Sequence, residues 1–84
     1  MLPESQPSFE LAAVQSKMAR VAVGWGVRDL AKAAGVSANT VSRLEAGDQL
    51  KSATLAAIRA ALEQAGIEFT NGEAPGVRLR KGGR

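Results

Sequence analysis

The stretch that decides the fold is VRDLAKAAGVSANTVSRLEAG, at residues 27–47. It has the pattern of two short helices, about Val27–Ala34 and Ala38–Ala46, joined by a turn that contains a glycine. Gly35 stands just past the first helix, where a residue free to adopt a positive φ is needed. Ser37 is a good N-cap for the second helix, because its hydroxyl can accept from an unpaired backbone N–H. The spacing therefore predicts a helix-turn-helix.

The apolar residues of this stretch fall where two crossed helices need them. Ala31 is small, as the contact residue of a near-perpendicular crossing must be. Val41 and Leu44 return apolar side chains from the second helix to the first. The predicted core of the motif is Leu30, Ala31, Ala34, Gly35, Val36, Val41 and Leu44. A generic small helical protein could contain the same pattern, so the outward face of the second helix is the more informative feature.

That outward face is small, polar or cationic. It carries Ala38, Asn39, Ser42 and Arg43. A helix inserted in the major groove of DNA needs a face without bulk and with donors that can reach base edges. Asn suits adenine and Arg suits guanine, each through paired hydrogen bonds. A solvent-facing helix of a generic bundle more often carries Glu/Lys pairs four residues apart. The face therefore favours DNA binding.

A further helix is predicted before the motif. Ser8 can cap it, and Gly24-Trp25-Gly26 ends it, because two glycines in three residues favour a turn. Its apolar stripe is predicted at helical spacing from Leu11, Val14, Met18, Val21 and Ala22. We expect Trp25 to close the core between the first two helices rather than to stack on a ligand.

A fourth helix and a β-hairpin are predicted after the motif. Ser52 can cap a helix over about Ala53–Ala65, rich in strong helix formers, and Gly66 ends it. The apolar period then changes to two, which indicates strands. The alternating apolar residues are Ile67, Phe69, Val77 and Leu79, separated by a turn-rich connection at 71–76. The fold class predicted is mainly α, with four helices and a C-terminal β-hairpin.

The composition argues against an enzyme. The 84 residues contain no cysteine and no histidine. Disulfides, thiolate nucleophiles, Cys/His zinc sites and imidazole acid–base catalysis are therefore excluded. The sequence gives no nucleophile–base arrangement and indicates no metal and no cofactor.

The chain is predicted to form one small domain of a cytoplasmic protein. It has no run of 18 apolar residues and no signal-peptide pattern at its start. The net charge of +3 is compatible with a polyanionic partner without establishing one. The predicted division is a disordered leader at 1–7, a helix-turn-helix domain at 8–66, a hairpin at 67–81 and a basic tail at 82–84.

The sequence resembles the Cro/phage-repressor (XRE-like) type of helix-turn-helix protein. The resemblance is carried by residues 20–47, RVAVGWGVRDLAKAAGVSANTVSRLEAG, and it extends through residues 54–69, TLAAIRAALEQAGIEF. It implies a lambda-repressor-like fold, a third helix that reads bases, and transcriptional regulation as a homodimer on a two-fold operator. The base-reading positions that it implies are Ser37, Ala38, Asn39, Ser42 and Arg43.

The resemblance also implies contacts to the DNA backbone. Arg20 stands where family members often have an arginine that pairs with the glutamate of the L-E-x-G ending, here Glu45, and reaches a phosphate. An ordinary surface arginine is the alternative. Thr40 is expected to face a phosphate or the neighbouring helix. Lys51 and Ser52, at the start of the fourth helix, match a place where helix N-termini meet the backbone.

The sequence departs from the family pattern at three places. Gly26-Val27 replaces the usual Ser or Thr followed by Gln, and valine cannot donate to a phosphate. Ser16 stands where a leucine is common, and Leu50 where the loop often has basic residues and proline. We expect these changes to leave the fold in place while reducing the number of backbone contacts.

The hairpin is a candidate dimerisation element. A two-stranded hairpin is marginal alone in water, so its apolar face must cover the chain's own helices or the hairpin of a second subunit. The second option is favoured, because an operator with two-fold symmetry needs a two-fold reader. The basic residues Arg78, Arg80, Lys81 and Arg84 either contact phosphates or keep an edge strand soluble.

The main functional hypothesis is a sequence-specific repressor or autoregulator that binds double-stranded DNA. One alternative is the antitoxin of a toxin–antitoxin pair, whose terminal segment would bind a toxin. Another is a module that uses the same fold to bridge proteins rather than to bind DNA. The DNA hypothesis predicts that Asn39 and Arg43 are essential, and the bridging hypothesis predicts that they are dispensable.

Overall fold

The fold is a small helical domain that carries one hairpin. The computed structural model describes residues 11–71 and 75–80. Its elements in chain order are α1 (Ala13–Ala22), α2 (Val27–Ala34), α3 (Ala38–Glu45), α4 (Ser52–Gln64), β1 (Ile67–Asn71) and β2 (Pro75–Leu79). The mainly α class, the four helices and the C-terminal hairpin are confirmed. The predicted leader at 1–7 and tail at 82–84 lie outside the described residues.

The two helices of the motif begin and end where local signals place them. α2 covers the predicted Val27–Ala34, and Gly35 follows it with a φ of +74°. That left-handed conformation is strained for residues that carry a Cβ. The hydroxyl oxygen of Ser37 then accepts from the backbone N–H of Thr40 at 3.1 Å and caps α3. One turn thus fixes the angle at which α3 leaves α2.

The core lies between the helices and under the hairpin. α2 packs against α3 and α4, while α1 packs against α3, α4 and β2. The buried apolar residues are Leu11, Ala19, Leu30, Ala31, Val41, Leu44, Leu55, Ile58, Ala61, Leu62 and Ile67. Trp25 is half-buried against this cluster, in the position expected of a core anchor. None of the described helices is long and apolar enough to cross a membrane.

Two predicted helix starts are wrong. α1 begins at Ala13, with Ala12 as its N-cap residue, so Ser8 cannot cap it; Ser8 itself lies outside the described residues. Instead, the side chain of Gln15 reaches back, and its Oε1 accepts from the N–H of Ala12 at 3.2 Å. Ser52 is the first residue of α4 rather than its cap, because extended Lys51 precedes it. A serine signals a nearby helix start without fixing which residue is the cap.

The predicted apolar stripe of α1 is also wrong. Leu11 is buried but precedes the helix, whereas Val14, Met18, Val21 and Ala22 are exposed. The inward face of α1 consists of Gln15, Ser16 and Ala19, each with 0% exposure. The helix can bury this face because Ser16 and Ala19 are small and the polar groups of Gln15 and Ser16 form hydrogen bonds. A count of apolar positions cannot find such a face.

The hairpin is antiparallel and lies on α1 and α4. Its register pairs Ile67 with Leu79 and Phe69 with Val77, so these four side chains share one face. Ile67 is buried, and Phe69 and Val77 are half-buried against the core. The chain's own helices therefore cover most of the hairpin's apolar face. On the other face, hydrogen bonds from Arg78 lower the pKa of Glu68.

A buried amide fastens the hairpin to α1. The Nε2 of Gln15 donates to the carbonyl oxygens of Thr70, at 3.0 Å, and Gly76, at 3.1 Å. One side chain thus bonds to both strands, close to their connection. Because Gln15 has 0% exposure, water cannot replace these bonds without opening the structure.

Replacing Gln15 with alanine should lower the free energy of unfolding by about 2 kcal/mol, because two carbonyl oxygens lose their donor and a void forms. Urea unfolding followed by circular dichroism measures the change. Gln64→Ala is the matched control, since Gln64 is exposed at the end of α4 and its loss should change stability by less than about 0.5 kcal/mol. Equal effects of the two substitutions would contradict the role assigned to the buried amide.

Candidate nucleic-acid interface

α3 has one face in the core and one in solvent. Val41 and Leu44, on its inner face, have 0% and 3% exposure. Asn39, Ser42 and Arg43 are all exposed. The helix has eight residues and packs against α1 and α2. The arrangement holds a polar helix surface clear of the rest of the domain.

The N-terminal end of α3 is ordered by its own side chains. The hydroxyl groups of Ser37 and Thr40 are 2.8 Å apart and share a hydrogen bond. Thr40 is half-buried, and this hydrogen bond orients its hydroxyl group. Ala38 is half-buried and packs against the core. Of the five predicted base-reading residues, Ala38 alone is not exposed.

The side chain of Arg43 is paired with a carboxylate at the surface. Its Nε donates to Oδ2 of Asp48 at 3.2 Å, and the two side chains are 50% and 53% exposed. An ion pair this exposed contributes little to stability. Its consequence is geometric, because the Nε–H of Arg43 is directed at Asp48 while half of the arginine side chain stays in solvent. The sequence did not single out Asp48.

A groove joins α3 to the start of α4. It has a volume of about 380 Å³ and is lined by Thr40, Arg43, Gln49, Leu50, Lys51 and Thr54. The groove thus brings together three of the predicted site residues, Thr40, Arg43 and Lys51. Ser52 is exposed beside it, in the first turn of α4, where helix N–H groups favour an anion. The other predicted residues of α3 lie along the exposed helix surface.

Arg20 and Glu45 form an ion pair at the opposite end of α3. The Nη2 of Arg20 lies 2.9 Å from Oε1 of Glu45, and its Nε lies 3.1 Å from Oε2. The side chains are 13% and 9% exposed, so the pair is largely shielded from water. The Nη1 of Arg20 also donates to the carbonyl oxygen of Trp25 at 3.1 Å. One guanidinium thus ties α1 to both α3 and the loop before α2.

The pair is completed by a serine that departs from the family pattern. The hydroxyl of buried Ser16 donates to Oε2 of Glu45 at 3.0 Å. A leucine at this position could not donate. The hydrogen bonds with Glu45 raise the pKa of Arg20 despite the opposing effect of burial, so the guanidinium stays charged. The family resemblance indicated the Arg20–Glu45 pair, whereas the part of Ser16 has only one sequence signal, its place four residues before Arg20 on the same side of α1.

A family model described as a helix-turn-helix domain matches residues 13–68, about two thirds of the chain. This family is in the XRE/Cro-like clan, whose domains are DNA-binding and regulatory and typically non-enzymatic. No curated protein and no solved structure matches the chain. The chain belongs to the helix-turn-helix domain family of the XRE/Cro-like clan.

Proposed function

We propose that the chain is a sequence-specific repressor or autoregulator that reads double-stranded DNA in the major groove with α3. The observation that carries this proposal is the contrast between the two faces of α3. Val41 and Leu44 are buried, whereas Asn39, Ser42 and Arg43 are exposed and polar. A slim helix with such a face fits the groove, and donors on successive turns can reach adjacent base pairs.

Base reading is assigned to the exposed residues from Ser37 to Arg43. Asn39 would pair with adenine, and Arg43 with guanine through Nη1 and Nη2. Asp48 limits the directions that Arg43 can take, which lowers the entropy lost on binding. Ser37 and Ser42 supply short hydroxyl groups, and the half-buried Ala38 lets the helix backbone approach the bases.

Phosphate contacts are assigned to the residues around the groove. Lys51 is exposed, and Ser52 begins α4, so a phosphate there would meet a cation and helix N–H groups together. Thr40 also lines that groove. Arg20 has five N–H groups, of which three are used within the chain, and two remain for a phosphate at the far end of α3.

The protein is proposed to act as a homodimer in the cytoplasm, on the nucleoid. Two-fold operators place half-sites about one helical turn apart, so a dimer can present two copies of α3 to successive major grooves. Repression follows if the bound dimer competes with the transcription machinery for its operator. Autoregulation is the same mechanism on the protein's own promoter.

Selection of bound fragments from a random-sequence library of double-stranded DNA tests the proposal. The expected product is a palindrome with half-sites roughly 10 base pairs apart, protected in the major groove. Methylation interference at guanine N7 would locate the contact of Arg43, since N7 lies in that groove. Failure to enrich any sequence, with binding no tighter than to bulk DNA, would overturn sequence-specific reading.

A further inference from the structure

α1 carries an apolar stripe that the fold leaves uncovered. Val14, Met18 and Val21 recur at intervals of four and three residues, and their exposures are 55%, 37% and 61%. Leu79, on the strand that packs against α1, is 50% exposed. These four are the exposed large apolar side chains of residues 11–71 and 75–80. The inward turn of Gln15, Ser16 and Ala19 is what places the stripe outside.

We infer that this stripe is the surface through which two copies of the chain form a dimer. The inference rests on the proposed function and assigns the dimer contact to α1 together with Leu79 of the hairpin. The spacing of the stripe is that of helices that pack side by side. A two-fold axis beside α1 would place Val14, Met18 and Val21 against the same three residues of the partner, which is an isologous contact.

The exposed area suits a weak dimer. The four side chains expose roughly 350 Å² of apolar surface per copy, which lies within the range of functional patches. Two copies would remove roughly 700 Å² of apolar area from water, corresponding to a total interface on the order of 1,200 Å² once a polar rim is included. That area is at the lower end of the range for specific protein–protein complexes. The free protein should therefore dimerise with a dissociation constant on the order of 100 µM.

The position of the stripe leaves α3 free. At roughly 100° per residue, the stripe is centred more than about 120° around α1 from Ser16 and Arg20. Those two residues face α3 through Glu45. A second copy on the stripe would thus lie on the side of α1 away from the ion pair. Lys17 is the one ionic residue among the exposed positions of α1, so the contact would contain little charge to desolvate.

Sedimentation equilibrium of the full chain, from about 5 to 500 µM and without DNA, tests the inference at concentrations that span the expected constant. We expect a reversible monomer–dimer equilibrium in the wild type and at least a tenfold weaker one in Met18→Glu and in Val21→Glu. Both positions are exposed, and glutamate is a good helix former, so the domain should stay folded. Tryptophan fluorescence of Trp25 and thermal unfolding verify that it does, and Val14→Gln is the milder variant should either fail.

Ala60→Glu is the matched control, since Ala60 is an exposed residue of α4 outside the stripe. It should dimerise as the wild type does. In NMR spectra, the Met18 methyl signal should shift with protein concentration in the wild type and not in Val21→Glu. A wild-type dimer that Met18→Glu leaves intact would overturn the assignment to α1. A wild type that is monomeric throughout, whether because residues 1–10 cover the stripe or because another protein binds it, would also overturn it.

The experiment separates this inference from the proposed function. Monomeric Met18→Glu should still bind a single half-site taken from the selected DNA with wild-type affinity, while losing at least tenfold on the full palindrome. Loss of half-site binding in a folded Met18→Glu monomer would overturn the separation of α1 from the DNA face. A normal dimer that enriches no DNA sequence would overturn the proposed function and leave the dimer surface standing.

Discussion

Glu45→Ala is expected to lower the free energy of unfolding by about 3 kcal/mol, and the melting temperature by roughly 15 °C. The substitution leaves the Arg20 guanidinium largely buried, at 13% exposure, without its carboxylate. It also deprives the Ser16 hydroxyl of its acceptor. Removing one partner of a shielded ion pair lowers the free energy of unfolding more than replacing both partners with neutral residues does. The reason is that an uncompensated charge remains in the protein. Thermal and urea unfolding at neutral pH measure the loss.

Two variants calibrate this expectation. Glu63→Ala removes the carboxylate of the Arg59–Glu63 pair, whose side chains are 34% and 44% exposed, and should cost less than about 0.5 kcal/mol. Arg20→Met combined with Glu45→Met removes both charges and should recover much of the stability lost by Glu45→Ala. If Glu45→Ala lowered the free energy of unfolding no more than Glu63→Ala does, the Arg20–Glu45 pair would not hold α3 against α1.

The helix-turn-helix could be predicted from sequence because its signals are local. Gly35 is needed at one left-handed position, and Ser37 caps α3 three residues before Thr40, so each signal acts within one turn of chain. The hairpin followed from a change of apolar period at Gly66. Such signals depend on the backbone of a few residues and do not require knowledge of the packing.

The orientation of α1 could not be predicted in the same way. Its apolar residues suggested that Val14, Met18 and Val21 face inward, whereas the buried residues are Gln15, Ser16 and Ala19. A glutamine can be buried only where other groups accept the hydrogen bonds of its amide. Here the acceptors are the carbonyl oxygens of Thr70 and Gly76. Those partners are 55 and 61 residues away, so the stabilising contacts exist only in the folded chain.

One part of the candidate site could likewise be predicted from the sequence, and another part could not. The polar face of α3 is a property of one helix, and the sequence pattern indicates it directly. The pairing of Arg43 with Asp48 and the groove beside Lys51 depend on the path of the loop at 46–51, which carries no regular pattern. In the sequence alone, Ser16 is only a departure from the family pattern, which often has leucine there. It is explained by the largely shielded carboxylate of Glu45, which accepts a hydrogen bond from the serine hydroxyl.

Asn39→Ala combined with Arg43→Ala is expected to weaken binding to the selected palindrome by about 2–6 kcal/mol, or roughly 30-fold or more. Each side chain is assigned one bidentate base contact, and each such contact contributes about 1–3 kcal/mol of discrimination. Both residues are exposed, and the Arg43–Asp48 pair is a weak surface pair, so the variant should unfold as the wild type does. Fluorescence anisotropy with the selected and a scrambled duplex measures both affinities.

The affinities that the variants lose for the two duplexes distinguish base reading from electrostatic attraction to the phosphates. Arg59→Ala removes an arginine that is likewise held by a carboxylate, but on α4, and should bind both duplexes as the wild type does. Lys51→Ala should weaken both duplexes equally and reduce the salt dependence by about one unit, as expected of a phosphate contact. The double variant should instead lose the preference for the selected duplex while keeping most of its affinity for the scrambled one. If it kept the preference to within about twofold, well below the discrimination expected of even one bidentate contact, α3 would not be the reading helix and the protein-bridging alternative would gain.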